Sequence, residues 1–353
     1  MNLLALRGLF RDALLQVLDN RVFRVLLVLA LVPILATVLI GLNDESFSFL
    51  FGVWTVDDPD FLYQLGDEPR VYLVEIFRAA FVESIVGSVG ITICVAATAF
   101  YVPLMLEKGS ADLVFTKPLS RSVLYLSRYV TGLIFVGALA AFLNLGIYLG
   151  LGLRSGMWYP GILWSTLTLV YLFALVHGVT MLIGLLTKST PAAMILGIMF
   201  FMFNGCVHNT WQMVEAYGAP LDQMTQGAPA ESEEEALEDE KFEALKTAGR
   251  KTLNAVHYAL PKTTEAPELV VHVQAAFGFD KALEARSGFR ESESERAAQS
   301  DFENVDPEAI FARRFGFDAE DWRYNAWFSL LSSLAFVGVV LGVGCWRLRR
   351  LDL

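Results

Sequence analysis

Six runs of this chain contain no Asp, Glu, Lys or Arg: 25–43, 84–106, 129–153, 155–187, 189–214 and 324–346. A helix rises about 1.5 Å per residue and a bilayer core is about 30 Å thick, so about 20 apolar residues cross it. Every run is long enough. Inside hydrocarbon each backbone N–H and C=O must find its partner within the protein, which makes a helix the form open to one isolated run. Composition agrees: 55% hydrophobic and 18% charged residues lie outside the range of ordinary soluble domains. The run 155–187 is too long for one upright helix. Gly156, Trp158, Tyr159 and Pro160 near its beginning place the helix start at Gly161. Spans are therefore expected at 23–43, 80–105, 127–151, 161–186, 191–208 and 325–346. The expected fold is an all-α polytopic membrane protein with six transmembrane helices and a small helical extracytoplasmic cap.

Charge sets the expected orientation. With the N-terminus inside, the inner segments 1–24, 106–128, 187–190 and 347–353 hold twelve Lys/Arg against five Asp/Glu, a net of +7. The remainder holds fifteen against thirty-three, a net of −18. Short basic segments stay on the cytoplasmic side and long acidic ones translocate more freely. Both termini are expected in the cytoplasm, with the chain multi-pass in a bacterial inner membrane. The first span is not expected to be a cleaved signal: its apolar run is too long, and an amphipathic stretch precedes it. Cys94, Cys206 and Cys345 fall in or beside spans, where they read as small packing residues and form no disulfide framework.

Four regions follow along the chain. Residues 1–22 carry Leu3, Leu6, Phe10, Leu14 and Val17 on one helical face, which reads as an interfacial helix on the inner leaflet. Residues 23–208 hold spans one to five, with a basic hairpin at 106–128. The acidic loop 44–79, with Asp57, Asp58 and Asp60, reads as solvated. Residues 209–323 form the acidic, helical outer segment. Ser232 and Glu235 make a capping box ahead of Phe242, Leu245, Leu253 and Val256 at helical spacing. Asp306-Pro307-Glu308 starts another helix, and Gly316 ends it. The apolar residues of this segment are sparse, which fits a cap leaning on the spans better than an independent domain. Residues 324–353 hold the last span and a basic tail.

Little in the chain reads as catalytic. "GLLTKST", Gly184–Thr190, lacks the glycine before lysine and the preceding strand that a phosphate-binding loop needs, so it reads as a turn between spans. His177 lies within the fourth span with Trp164 and Tyr171 on nearby turns. An ionisable residue inside a membrane is a candidate for function, and a neutral His bonded within the bundle is its structural counterpart. Glu83 and Asn144 are further candidates for lining a pathway or for joining helices. His208, His257 and His272 are scattered without ligand spacing, and no metal site is expected. Nucleic acid is not an expected partner.

The hairpin "LEKGSADLVFTKPLSRSVLYLSR", Leu106–Arg128, is too charged for lipid and too patterned for a tether. Ser110 can cap a short helix that Pro118 ends, and Ser120 can cap the third span's helix. Glu107-x-Gly109-Ser110, Leu113 and the Thr116–Arg121 run "TKPLSR" resemble the signature of type 2 ABC-transporter permeases. "LFRDALLQVLDNRVFRVLL" at 9–27 is similar to that family's elbow helix, and "HYALPKTTEAPEL" at 257–269 resembles the outer segment before its sixth span. The nearest flavour is the six-span group that includes the permease of nitrous oxide reductase maturation. The resemblance implies that Leu106–Pro118 is a coupling helix seated on a separate ATP-hydrolysing subunit. Glu107, Gly109, Ser110, Leu113, Pro118 and Arg121 would make the contact. It implies no cofactor in this chain, with ATP and Mg on the partner ATPase, and a second permease copy, identical or not. Membrane lipid surrounds the spans, and the long 209–323 segment departs from the family and points to an extracytoplasmic protein partner. The expected function is ATP-driven permease work, export over import. Two alternatives stand beside it: a non-transporting subunit that transmits motion to an outer partner, and an intramembrane enzyme using His177.

Overall fold

The computed structural model describes residues 21–42, 47–56, 87–107, 120–156, 158–225, 233–266 and 326–351. Six of its helices are long and apolar enough to cross a membrane, the mark of a multi-pass membrane protein. They are α1 (Arg21–Leu39), the broken helix Gly87–Met105, α4 (Arg121–Ser155), α5 (Gly161–Thr187), α6 (Thr190–Thr225, apolar to Val214) and α8 (Ala326–Arg349). Helix α7 (Glu233–Ala259) is polar on average and lies outside the spans. The interfacial stretch 1–20, the acidic cluster 57–60, the hairpin tip 108–119 and the outer segment 267–325 lie outside the described residues.

Helix α5 is the most enclosed of the six, packed between α4, α6 and α8, whereas α1, α6 and α8 turn most of their surface outward. Glycines set how closely these helices approach. A Cβ at Gly146 would lie 2.3 Å from Ile34 of α1, and one at Gly150 would lie 2.5 Å from the Thr37 hydroxyl. Helix α1 thus lies directly on the α4 backbone, the small-residue packing that replaces the hydrophobic drive inside lipid. The outer face of α1, with Val25, Val28 and Val32, is exposed, as lipid contact requires.

Sequence chemistry explains the helix ends. The Ser120 hydroxyl accepts from the Val123 N–H and caps α4, as expected from the sequence. Gly156, at φ +68°, ends α4 with its N–H on the Gly152 carbonyl. At 35 residues α4 is roughly 50 Å long, so it reaches beyond a bilayer core. The expected third span, 127–151, was only its middle. The second span is not one rod: α2 (Ile91–Thr98) breaks at Ala99–Phe100 and resumes as α3 (Tyr101–Met105). Pro103 has no N–H to offer the Ala99 carbonyl, which places the break one turn before it. The fifth span was expected to end at 208, yet α6 continues unbroken to Thr225.

One departure from an all-α chain lies at the end of α1. Residues Ile40–Leu42, Phe47–Phe49 and Trp54–Val56 form an antiparallel meander, β1-β2-β3, paired Ile40 to Phe49 and Phe47 to Val56. Its turn holds Leu50 and Phe51 at positive φ (48° and 60°), a conformation rare outside glycine. The Arg154 guanidinium at the end of α4 bonds the Ser48 hydroxyl at 3.1 Å and lies over the Phe51 ring, which fixes the meander to the bundle.

Candidate functional site

Of the residues expected to couple, Glu107 and Arg121 are described, at the end of α3 and the start of α4. Arg121, the first residue of α4, donates to the Leu351 carbonyl, and Arg349 of α8 donates to the Ser122 hydroxyl at 2.8 Å. Gly344 of α8 packs against Tyr125, and Leu124, Tyr125, Met105 and Leu348 share one buried cluster. The α4 leg of the hairpin is therefore clamped to the C-terminal end of the chain by two crossing bonds, and the α3 leg meets α8 through the shared apolar cluster. Arg121, Lys188, Arg347, Arg349 and Arg350 make this the basic end of the bundle. Glu107 is exposed there, one residue beyond Leu106, whose N–H bonds Pro103. Gly109, Ser110, Leu113 and Pro118 lie outside the described residues, as does Glu83. At the same end Lys188 closes α5 at φ 54°, and Gly184 packs on Pro103 and Ala193. The glycine and lysine of "GLLTKST" thus serve a helix turn.

His177 is fully buried. The Thr98 hydroxyl spends its proton on the Cys94 carbonyl at 2.8 Å, so toward His177 Nδ1, 3.4 Å away, it acts as acceptor. The ring is then the Nδ1–H tautomer. It stacks on Phe173 at 4.7 Å and Tyr129 at 5.7 Å, with Tyr101 edge-on. Its Nε2 has no hydrogen-bond partner and faces Gly132, where a Cβ would lie 2.3 Å away. Backbone fills the space in front of the lone pair, a geometry that locks α5 against α4. Asn144 likewise joins helices: its amide bonds Thr166 of α5 at 3.0 Å.

A second polar cluster lies farther from the basic end, within the apolar part of α6. It brings together two of the histidines that read as scattered, His208 and His257, while His272 lies outside the described residues. Leu260–Ala266 leaves α7 and tucks between α6 and α8, with Lys262 1% exposed and Ala266 packed among Ile91, Cys94, Phe135, Phe173 and Val176. His208 of α6 and His257 of α7 meet Nδ1 to Nδ1 at 2.7 Å. His208 Nε2 lies 2.8 Å from the Pro261 carbonyl and must donate to it. Its Nδ1 is then the acceptor, and His257 Nδ1–H the donor. Asn204, one turn before His208, donates to the Pro261 carbonyl at 3.0 Å and the Thr263 hydroxyl at 2.7 Å. The Lys262 N–H bonds Ser333 of α8 at 2.8 Å, and its ammonium donates to the His257 carbonyl. Trp211 stacks on His257 at 3.9 Å and bonds Asn254. Burial, then the Lys262 charge, then His208 push His257 down to about 3. Burial lowers Lys262 to about 8 against the pull of Glu265. Burial raises the Glu265 carboxyl, opposed by a Ser329 hydrogen bond and by Lys262.

The sequence signal for this cluster was Asn204 and His208, polar residues four apart in an apolar span. Their partners lie some fifty residues on, beyond the reach of periodicity. No protein-family model, curated protein or solved structure matches the chain.

Proposed function

We propose that the chain is the membrane-spanning permease subunit of an ATP-binding cassette transporter, working with a separate ATPase subunit that binds ATP and Mg. In this reading the basic end is cytoplasmic, both termini lie there, and two permease copies pair in a bacterial inner membrane to export a substrate. Hairpin 106–128 receives the ATPase motion through Glu107, Gly109, Ser110, Leu113, Pro118 and Arg121. The observation that carries the reading is the clamp at that end. Arg121 is tied to Leu351, and Arg349 to Ser122, so a push on the hairpin moves α4 and α8 together. A free loop would absorb the push.

Purification from native membranes tests it. The chain is expected to bring down a protein carrying nucleotide-binding motifs, and its recovery without any ATPase overturns the proposal. In the reconstituted complex, Glu107→Ala and Gly109→Trp are expected to abolish substrate-stimulated ATP hydrolysis while membrane insertion stays normal.

A second reading rests on α6. A single 36-residue helix carries motion from Thr190 past the span to Thr225, beyond where a solute path ends. A subunit that moves an outer protein through 209–323, without moving a solute, uses the same clamp. ATP hydrolysis stimulated by that outer protein alone distinguishes it.

A further inference from the structure

We propose that the Leu260–Ala266 tuck is a proton-operated latch set into the bundle, held by the proton between His257 and His208 and released when that pair takes up another. The geometry is specific. The tuck is held from three sides: α6 through His208 and Asn204 on Pro261 and Thr263, α7 through the His257 carbonyl on the Lys262 ammonium, and α8 through Ser333. Each bond to α6 is made by a residue that also touches the histidine pair or sits one turn from it.

Only one Nδ1 proton fits between rings 2.7 Å apart. With His208 Nε2–H committed to Pro261, an added proton must go to His257 Nε2. It creates an imidazolium beneath Trp211 and beside the Lys262 ammonium, which already bonds the His257 carbonyl. The charged and titratable groups facing the pair are few. The tuck supplies Lys262 and Glu265, α7 supplies Tyr258, under the Lys262 ammonium at 5.2 Å, and α5 supplies Tyr171, which lies within the field of Glu265. Among the described residues Glu265 is the carboxylate in that set, and its charge already offsets that of Lys262. The extra charge has the Trp211 face and His208 Nδ1 as neighbours but is buried beside the Lys262 ammonium, a repulsion and loss of hydration that opening relieves.

The sign follows from linkage. His257 is held near 3 when closed and returns to 6.5 when exposed, so the open form binds more protons between those values. The His257 contribution to closure is fully present above about 6.5 and weakens as pH falls, up to about tenfold per unit. Lys262 acts with the same sign at higher pH, between about 8 and 10.5. Glu265, raised when closed, acts with the opposite sign above 4.5.

Hydrogen exchange on the full chain in lipid nanodiscs tests the latch, independently of any ATPase. After correction for the intrinsic pH dependence of exchange, the opening constant of 260–266 is expected to rise about tenfold from pH 7.5 to 5.5. Helix α7 at 241–252 is expected to stay unchanged. His257→Asn keeps a donor toward His208 but takes no proton, and it should flatten the response. Constant protection of 260–266 in the natural chain overturns the proposal, whatever the variant does. So does an equal response in His257→Asn.

Discussion

Gly132 and His177 show how one residue fixes another. The imidazole fits only because Gly132 has no side chain, since a Cβ there would sit 2.3 Å from Nε2. Gly132→Ala should therefore cost about 1–3 kcal/mol through overpacking. Thermal unfolding in detergent checks this, and His177→Ala in the same chain should recover much of the loss, so that the two changes combine less than additively. Additive losses would mean that ring and glycine do not meet. The sequence marked His177 as a candidate and allowed it to be a bonded packing residue, but could not tell which. The deciding contacts, with Thr98 and Gly132, come from two other helices. His208 and His257 show the same limit more sharply. His257 carries no signal in its own window, and its 2.7 Å contact with His208 appears only where α7 packs back on α6.

At the scale of elements, local chemistry was legible and three-dimensional fit was not. The charge-free runs located all six spans, and Ser120 marked the start of α4. The break before Pro103 and the continuation of α6 to Thr225 were missed, because a hydropathy run records length and not the straightness of a helix. The meander at 40–56 was missed because three-residue strands are too short to show alternation, and Arg154, a hundred residues on, holds them. Two helix ends give paired predictions of opposite sign. Gly156 occupies a left-handed position at φ +68°, so Gly156→Ala should lower stability by about 1 kcal/mol. Lys188 occupies the equivalent position at φ 54° with a side chain in place, so Lys188→Gly should raise stability by a similar amount. Melting temperatures of the two variants shifting the same way would show that backbone strain does not govern these ends.

For the whole molecule the question is which end faces the cytoplasm, since the coupling proposal needs the basic end there. Helix packing joins Arg121, Lys188 and Arg349 at one end, and α6 runs past its span at the other, but a bundle without its membrane has no preferred side. Charge supplies one: a net of +7 in segments 1–24, 106–128, 187–190 and 347–353 against −18 in the rest of the sequence. Single cysteines read the outcome directly. Cys206 and Cys345 are first replaced by serine, leaving Cys94 buried in the core. Lys188→Cys places a thiol at the exposed turn of the basic end, and Leu245→Cys places one on α7, where Leu245 is 71% exposed. With an impermeant thiol reagent on intact cells whose outer barrier is opened, the Leu245→Cys thiol should react at once. The Lys188→Cys thiol should react only after the inner membrane is permeabilised. The reverse pattern would put Glu107 and Arg121 beyond the reach of any cytoplasmic ATPase. It would leave the Arg121–Leu351 clamp as a structural tie, and the 260–266 latch would then respond to cytoplasmic pH.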